Sequence, residues 1–82
     1  MAKKTFYVVQ PFFAGKRGAI KAGLPMEVRN AADAERIALR MSLVKLGAIA
    51  FSTDVEPESG GADPPVLIAS FGQVPDGILE PA

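Results

Sequence analysis

The sequence predicts an α+β fold, a two-layer sandwich in the order ββαββ, with one main helix on a three- or four-stranded, mainly antiparallel sheet. Three observations lead there. The stretch Asn30 to Gly47 carries apolar residues at helical spacing and has capping chemistry at both ends. On either side of it, apolar residues fall in short runs that alternate or are rich in β-branched and aromatic side chains. Glycine- and proline-rich segments separate these runs. Strands on both sides of one amphipathic helix bury its apolar stripe most simply on one face of a shared sheet.

The first strand is expected over Lys4 to Gln10 (K-T-F-Y-V-V-Q), where aromatic and β-branched residues suit a pleated surface. Phe6, Val8 and Gln10 share one face and Thr5, Tyr7 and Val9 the other. Apolar groups on both faces predict a central strand. Pro11 is expected to end it or to mark a bulge, because proline cannot donate to a ladder. Ala14 to Leu24 has three glycines and three basic residues and reads as a mobile turn region. From Leu24 to Arg29, Leu24, Met26 and Val28 alternate with Pro25, Glu27 and Arg29, which predicts a half-buried strand, at an edge because of Pro25.

At Asn30 the pattern changes to the helical period. Asn30 is a favourable N-cap, Asp33 stands at the third helical position, Lys45 falls in the expected last turn and Gly47 at the expected C′ position. At about 100° per residue, Ala34, Ile37, Ala38, Met41 and Val44 form the core stripe. Leu39, Leu43 and Leu46 form a second stripe nearly opposite. Arg36 and Arg40 lie in the gap on one flank, Glu35 and Ser42 on the other. Beyond the helix, Ala48 to Thr53 predicts a strand with Ile49 and Phe51 on one face. Asp54 to Pro65 predicts a polar loop, Val66 to Phe71 the last strand of a hairpin, and Gly72 to Ala82 a loosely packed tail.

The 82 residues make one domain, which buries only about 60 to 65% of the surface of its unfolded chain. With 49% hydrophobic and 22% charged residues, the composition is that of a folded globule. The absence of cysteine excludes disulfides, thiolate metal sites and thiol nucleophiles, and points to a reducing cytoplasm. Lys3 and Lys4 precede an apolar run, but Gln10, Pro11, Lys16 and Arg17 are unlike a signal peptide. No uncharged stretch approaches the roughly 20 apolar residues that span a bilayer, so no membrane partner is expected.

Net charge is zero, yet it is sorted along the chain. Residues 1 to 30 carry six basic residues, Lys3, Lys4, Lys16, Arg17, Lys21 and Arg29, against Glu27 alone. Residues 46 to 82 carry six acidic residues, Asp54, Glu56, Glu58, Asp63, Asp76 and Glu80, and no basic one. Such asymmetry can orient a partner or align two copies.

Four candidate sites follow. Leu39, Leu43 and Leu46, at i, i+4 and i+7, form an interface for a protein partner or a homodimer, unless the Ala14 to Leu24 segment or Ile78 and Leu79 of the tail cover them. A helix on one sheet face also leaves the opposite face to water or another molecule. The basic loop Gly15 to Lys21, with Lys16, Arg17 and Lys21, offers an anion or nucleic-acid contact, with single-stranded RNA stacking on nearby aromatics the alternative function. The spacing of a P-loop is missing, and an isoelectric point near 6.2 lacks the basic signature of nucleic-acid binders. Asp54, Glu56, Glu58 and Asp63 fall close together, but Ser59 and Pro65 stand where a calcium loop needs glycine and glutamate, so no metal or cofactor is expected. Catalysis has few resources: there is no His or Cys, and none of Thr5, Ser42, Ser52, Thr53, Ser59 or Ser70 lies in a nucleophile elbow.

The segments Y-V-V-Q-P-F (Tyr7 to Phe12), L-G-A-I-A-F-S (Leu46 to Ser52) and F-G-Q-V-P-D (Phe71 to Asp76) are similar to those of a group of short uncharacterised bacterial proteins. That resemblance covers most of the chain and implies no activity. The V-Q strand before an alanine-rich helix also resembles the peptidoglycan-binding SPOR domain more faintly. This chain lacks that domain's second helix, its G-S-F and G-P-F turns and any export segment, so no binding residue is carried over.

Overall fold

The computed structural model describes residues 4–61 and 63–75. Among them are one α-helix and five strands: β1 (Lys4–Ala14), β2 (Ile20–Ala22), β3 (Met26–Val28), α1 (Ala31–Ser42), β4 (Gly47–Val55) and β5 (Val66–Gly72). All strand pairs are antiparallel in one open sheet. β1 is central, as its two apolar faces predict. β4 lies along one side of it and β5 beyond β4, while β2 and β3 share its other side in succession.

Since β3 and β4 are each antiparallel to β1, they run parallel to one another with β1 between them, and α1 is the crossover that joins them. Two strand intervals span about 10 Å, close to the diameter of a helix with its side chains. The helix therefore seats over β1 and β4, and it also touches β5. Four alanines make this close approach possible: Ala34 and Ala38 of the helix meet Ala48 and Ala50 of β4, with Val9 of β1, and all five are fully buried. Ile37, Met41, Tyr7, Val28, Ile68, Ala69 and Phe71 close the rim.

The expected ββαββ order gains a strand. Residues expected to form a mobile turn instead make a 3-10 turn at Lys16–Gly18 and then β2, which pairs with Phe12 to Ala14. β1 continues through Pro11, which was expected to end it. The Pro11 carbonyl accepts from the Gly23 amide at 2.9 Å, so the backbone of Pro11 faces the β2/β3 side. There, Gly23 to Pro25 interrupt the pairing, and the missing proline N–H costs no ladder bond. Gln10 closes the same gap, donating its side-chain amide to the Gly23 carbonyl at 2.6 Å and the Pro11 carbonyl at 3.0 Å.

The helix begins as predicted and ends early. The Asn30 side chain accepts from the Asp33 amide at 2.8 Å, and Asp33 also pairs with Arg36 at 2.8 Å. After Ser42 the chain leaves the helix, with Leu43 donating to the Arg40 carbonyl and Val44 to the Met41 carbonyl, both three residues back. Val44, expected in the core, is exposed, as is Leu24 of the predicted edge strand.

Gly47 is not the helix C′ residue. It is the first residue of β4, opposite Gly72 of β5. A Cβ on Gly47 would overlap the backbone of Gln73, and one on Gly72 would lie 2.5 Å from the Leu46 carbonyl oxygen. Gly72 also has φ +72°, which favours glycine. This glycine pair lets β5 and its continuation close onto the start of β4, where Leu46 donates to the Phe12 carbonyl and accepts from the Gln73 amide.

The sheet face away from the helix was expected to lie open. By alternation along the ladder it carries Phe6, Val8, Gln10 and Phe12 of β1 with Ile49, Phe51 and Thr53 of β4. Phe12 and Ile49 are each only 1% exposed, and Phe6, Val8 and Phe51 are half-buried. At that end, then, this face is already closed. The Asp54 to Pro65 loop starts later than predicted, because β4 runs to Val55. Of the tail, Gln73 to Pro75 are described; Ile78 and Leu79, the predicted cover for the leucines, lie outside the described residues.

Candidate functional site

The leucine surface changes shape once the helix ends at Ser42. Leu39 remains on α1, on the outer side, where with Ala32, Glu35 and Arg36 it lines a shallow depression. Leu43 caps the helix, and Leu46 sits half-buried in the link to β4, tied by its backbone to Phe12 and Gln73. The three leucines are therefore not one helical stripe. In their place, the consecutive residues Leu43 and Val44 are 77% and 78% exposed in the turn, with Leu39 about one helical turn before Leu43. Val44 belongs to this surface, although helical spacing put it in the core. The only sequence signal for this is that L-V-K-L-G has no polar residue other than Lys45 to mark an outer face. Burying two such side chains completely would yield about 1.5 to 3 kcal/mol each.

Lys16, Arg17 and Lys21 come together at the tip of the β1–β2 hairpin. The tip is held by Gly15 donating to the Ala19 carbonyl at 2.6 Å and Ala19 to the Lys16 carbonyl at 3.1 Å. Arg17 takes a left-handed conformation, φ 59° and ψ 34°. The stem of Lys21 lies over Gly15, where a Cβ would meet it at 2.9 Å. All three cations are exposed, and Phe13, opposite Lys21 on β1, is also exposed.

The acidic loop forms the opposite end of the molecule. β1 and β4 pair from Lys4 with Val55 to Phe12 with Gly47, so the β4–β5 loop and the β1–β2 hairpin extend from opposite ends of the sheet. Among the described residues, Lys16, Arg17 and Lys21 are thus set apart in space from Asp54, Glu56, Glu58 and Asp63, whereas Arg29 and Lys4 lie toward the acidic end, the Lys4 ammonium over the Phe6 ring at 5.1 Å. Within the loop, Gly60 donates to the Glu56 carbonyl and Glu56 to the Gly61 carbonyl, while Asp63 donates to the Asp54 carbonyl. The Asp54 carboxylate accepts from the Thr5 hydroxyl across the ladder at 2.6 Å. Among the described residues, no three acidic side chains converge to hold a metal ion.

The hydroxyls considered as nucleophiles are spread over the molecule. Ser42 donates to the Leu39 carbonyl of its own helix, Ser59 accepts from Gly61 in the acidic loop, and Ser70 is exposed on β5. Among the described residues, no helix is long and apolar enough to cross a membrane. No family model, curated protein or solved structure matches the chain, so its surfaces, rather than its relatives, carry the functional argument.

Proposed function

We propose that the protein is a small, non-catalytic, cytoplasmic interaction module that binds a protein partner through the apolar surface at the end of α1. The observation that carries this reading is the adjacent exposure of Leu43 and Val44, with Leu39 beside them, at the point where the chain has already left the helix. Exposed apolar groups in a connecting turn do nothing for the fold, whereas a partner groove can bury them. The cytoplasmic setting rests on the absence of cysteine.

The test is affinity capture from native lysate with the wild-type chain and with Leu43→Glu. Because Leu43 is exposed, the variant should keep the wild-type unfolding midpoint and lose the captured protein. Equal capture by both chains overturns the reading.

A second reading has its own observation, three cations and the exposed Phe13 ring on one hairpin. It is weak binding of single-stranded nucleic acid by phosphate contacts from Lys16, Arg17 and Lys21 and stacking on Phe13. An NMR titration with mixed oligonucleotides at low and physiological salt should shift the Gly15 to Lys21 amides at low salt first. Unmoved amides at low salt exclude it.

A further inference from the structure

We infer that the free edge of β5 pairs with the β5 edge of a second copy, antiparallel about a two-fold axis near Ser70, to join two sheets into one. The inference shares with the reading above the idea of an interaction module, but it uses a different surface. Among the described residues β5 pairs with β4 alone, so its other side presents unpaired backbone groups. The register says which ones. Gln73 donates to the Leu46 carbonyl, Phe71 opposes Ala48 and Ala69 opposes Ala50, with Ser70 and Gly72 falling between them. In an antiparallel ladder, backbone groups alternate in direction. Phe71 and Ala69 therefore bond to β4, and Ser70 and Gly72 turn their N–H and C=O groups to the free edge.

Three features favour a second copy as the occupant. The strand V-L-I-A-S-F-G has no charge and no proline, so nothing along it repels a second copy of itself, and a two-fold axis at Ser70 sets the same strand on both sides, with Ala69 of each copy opposite Phe71 of the other. Val66 and Leu67, 63% and 50% exposed, give it an apolar flank. Charge then sets the direction. The acidic loop with Glu56 and Glu58 lies at the Val66 end of β5, whereas Lys45 lies at the Gly72 end, in the turn tied through Leu46 to Gln73. Arg40, in the last turn of α1, is at the same end. Antiparallel pairing sets the acidic loop of each copy toward Lys45 and Arg40 of the other; parallel pairing would bring two acidic loops together.

The bulge at Ile68, where the β4–β5 register shifts between Ala50 and Phe51, confines regular pairing to the segment around Ser70. So short an edge buries well under the roughly 800 Å² per partner of a standard interface, and the dimer is accordingly weak.

Analytical ultracentrifugation over a wide concentration range tests this with the wild-type chain, Ser70→Lys, Ser70→Pro and Leu43→Glu. Ser70→Lys sets two ammonium groups against each other across the axis. Ser70→Pro removes an N–H that β4 does not use. Both should weaken self-association roughly tenfold or more while Leu43→Glu leaves it unchanged. A wild-type chain that stays monomeric throughout, or a Ser70→Lys chain that associates as tightly as wild type, overturns the inference. Loss of association in Leu43→Glu alone overturns it too, and leaves the leucine surface standing. Amide exchange on the wild-type chain needs no variant: protection at Ser70 and Gly72 should rise with protein concentration, and protection independent of concentration overturns the inference even if both Ser70 variants misfold.

Discussion

The two edges of the sheet are built on opposite plans. On one side, β2 and β3 are strands of three residues each, separated by Gly23, Leu24 and Pro25 and carrying Lys21 and Glu27. Short strands, charge and proline are what keep an edge from pairing with another chain. On the other side, β5 runs for seven residues with neither charge nor proline and has one bulge as its only such device. The difference teaches where this molecule can add backbone to backbone. Among the described residues, one edge is closed by its sequence, and the other is left open over a short segment. Beyond their ladder pairing, the two edges also differ in how a gap is closed: the β5 side has close backbone contact at two glycines, and the β2/β3 side one side-chain amide.

The largest effect should come from breaking the β5 attachment. Gly47→Ala puts a methyl group into the Gln73 backbone, and the start of β4 cannot yield without parting β5 or Leu46 from the sheet. A loss of about 3 kcal/mol is expected in urea unfolding, more than Ala for Gly costs at an open strand position. A loss under about 1 kcal/mol would mean that the glycine pair tolerates separation and that the β5 side is less tightly fastened than argued.

Next comes the other side. Gln10→Ala removes the amide that bonds the carbonyls of Pro11 and Gly23 and opens the break between β2 and β3. We expect a loss of about 1 to 2 kcal/mol, with faster amide exchange confined to β2, since the group is half-buried and water can reach part of the gap. Exchange rising equally in β5 would erase the distinction between the two sides.

The smallest effect should be at the hairpin tip. Arg17 holds a positive φ that glycine adopts freely, against the greater entropy glycine gives the unfolded chain. Arg17→Gly should change stability by no more than about 0.5 kcal/mol, and toward greater stability if strain outweighs entropy. Its thermal unfolding midpoint, compared with that of Gly47→Ala, measures how unequal the two edges of the sheet are.

Much of the fold was legible in the chain. The helix start needed only Asn30 and Asp33, three residues apart, and the core stripe Ala34, Ile37, Ala38 and Met41 followed from helical spacing. The central place of β1 followed from apolar groups on both of its faces. The exposed apolar residues were legible only in part: Leu39 and Leu43 were placed outside the core and are exposed, but Val44 was assigned to the core and Leu46 to a helix that does not reach it.

These outcomes separate by range. Where the deciding chemistry lies within one helical turn or along one strand, residues Asn30 to Met41 and Lys4 to Gln10 determined their own structure, because capping and periodicity act between near neighbours. Where it lies across the sheet, tertiary structure decided. The helix stops at Ser42 because Leu46 is taken up by the backbones of Phe12 and Gln73, and Gly47 is required by Gln73 some 26 positions away rather than by the helix before it. Pro11 stays within β1 because the chain breaks its pairing at Gly23 to Pro25. β2 forms because β1 extends past Pro11 and offers Phe12 to Ala14 as a template, a partner that no local pattern in the glycine-rich segment announces.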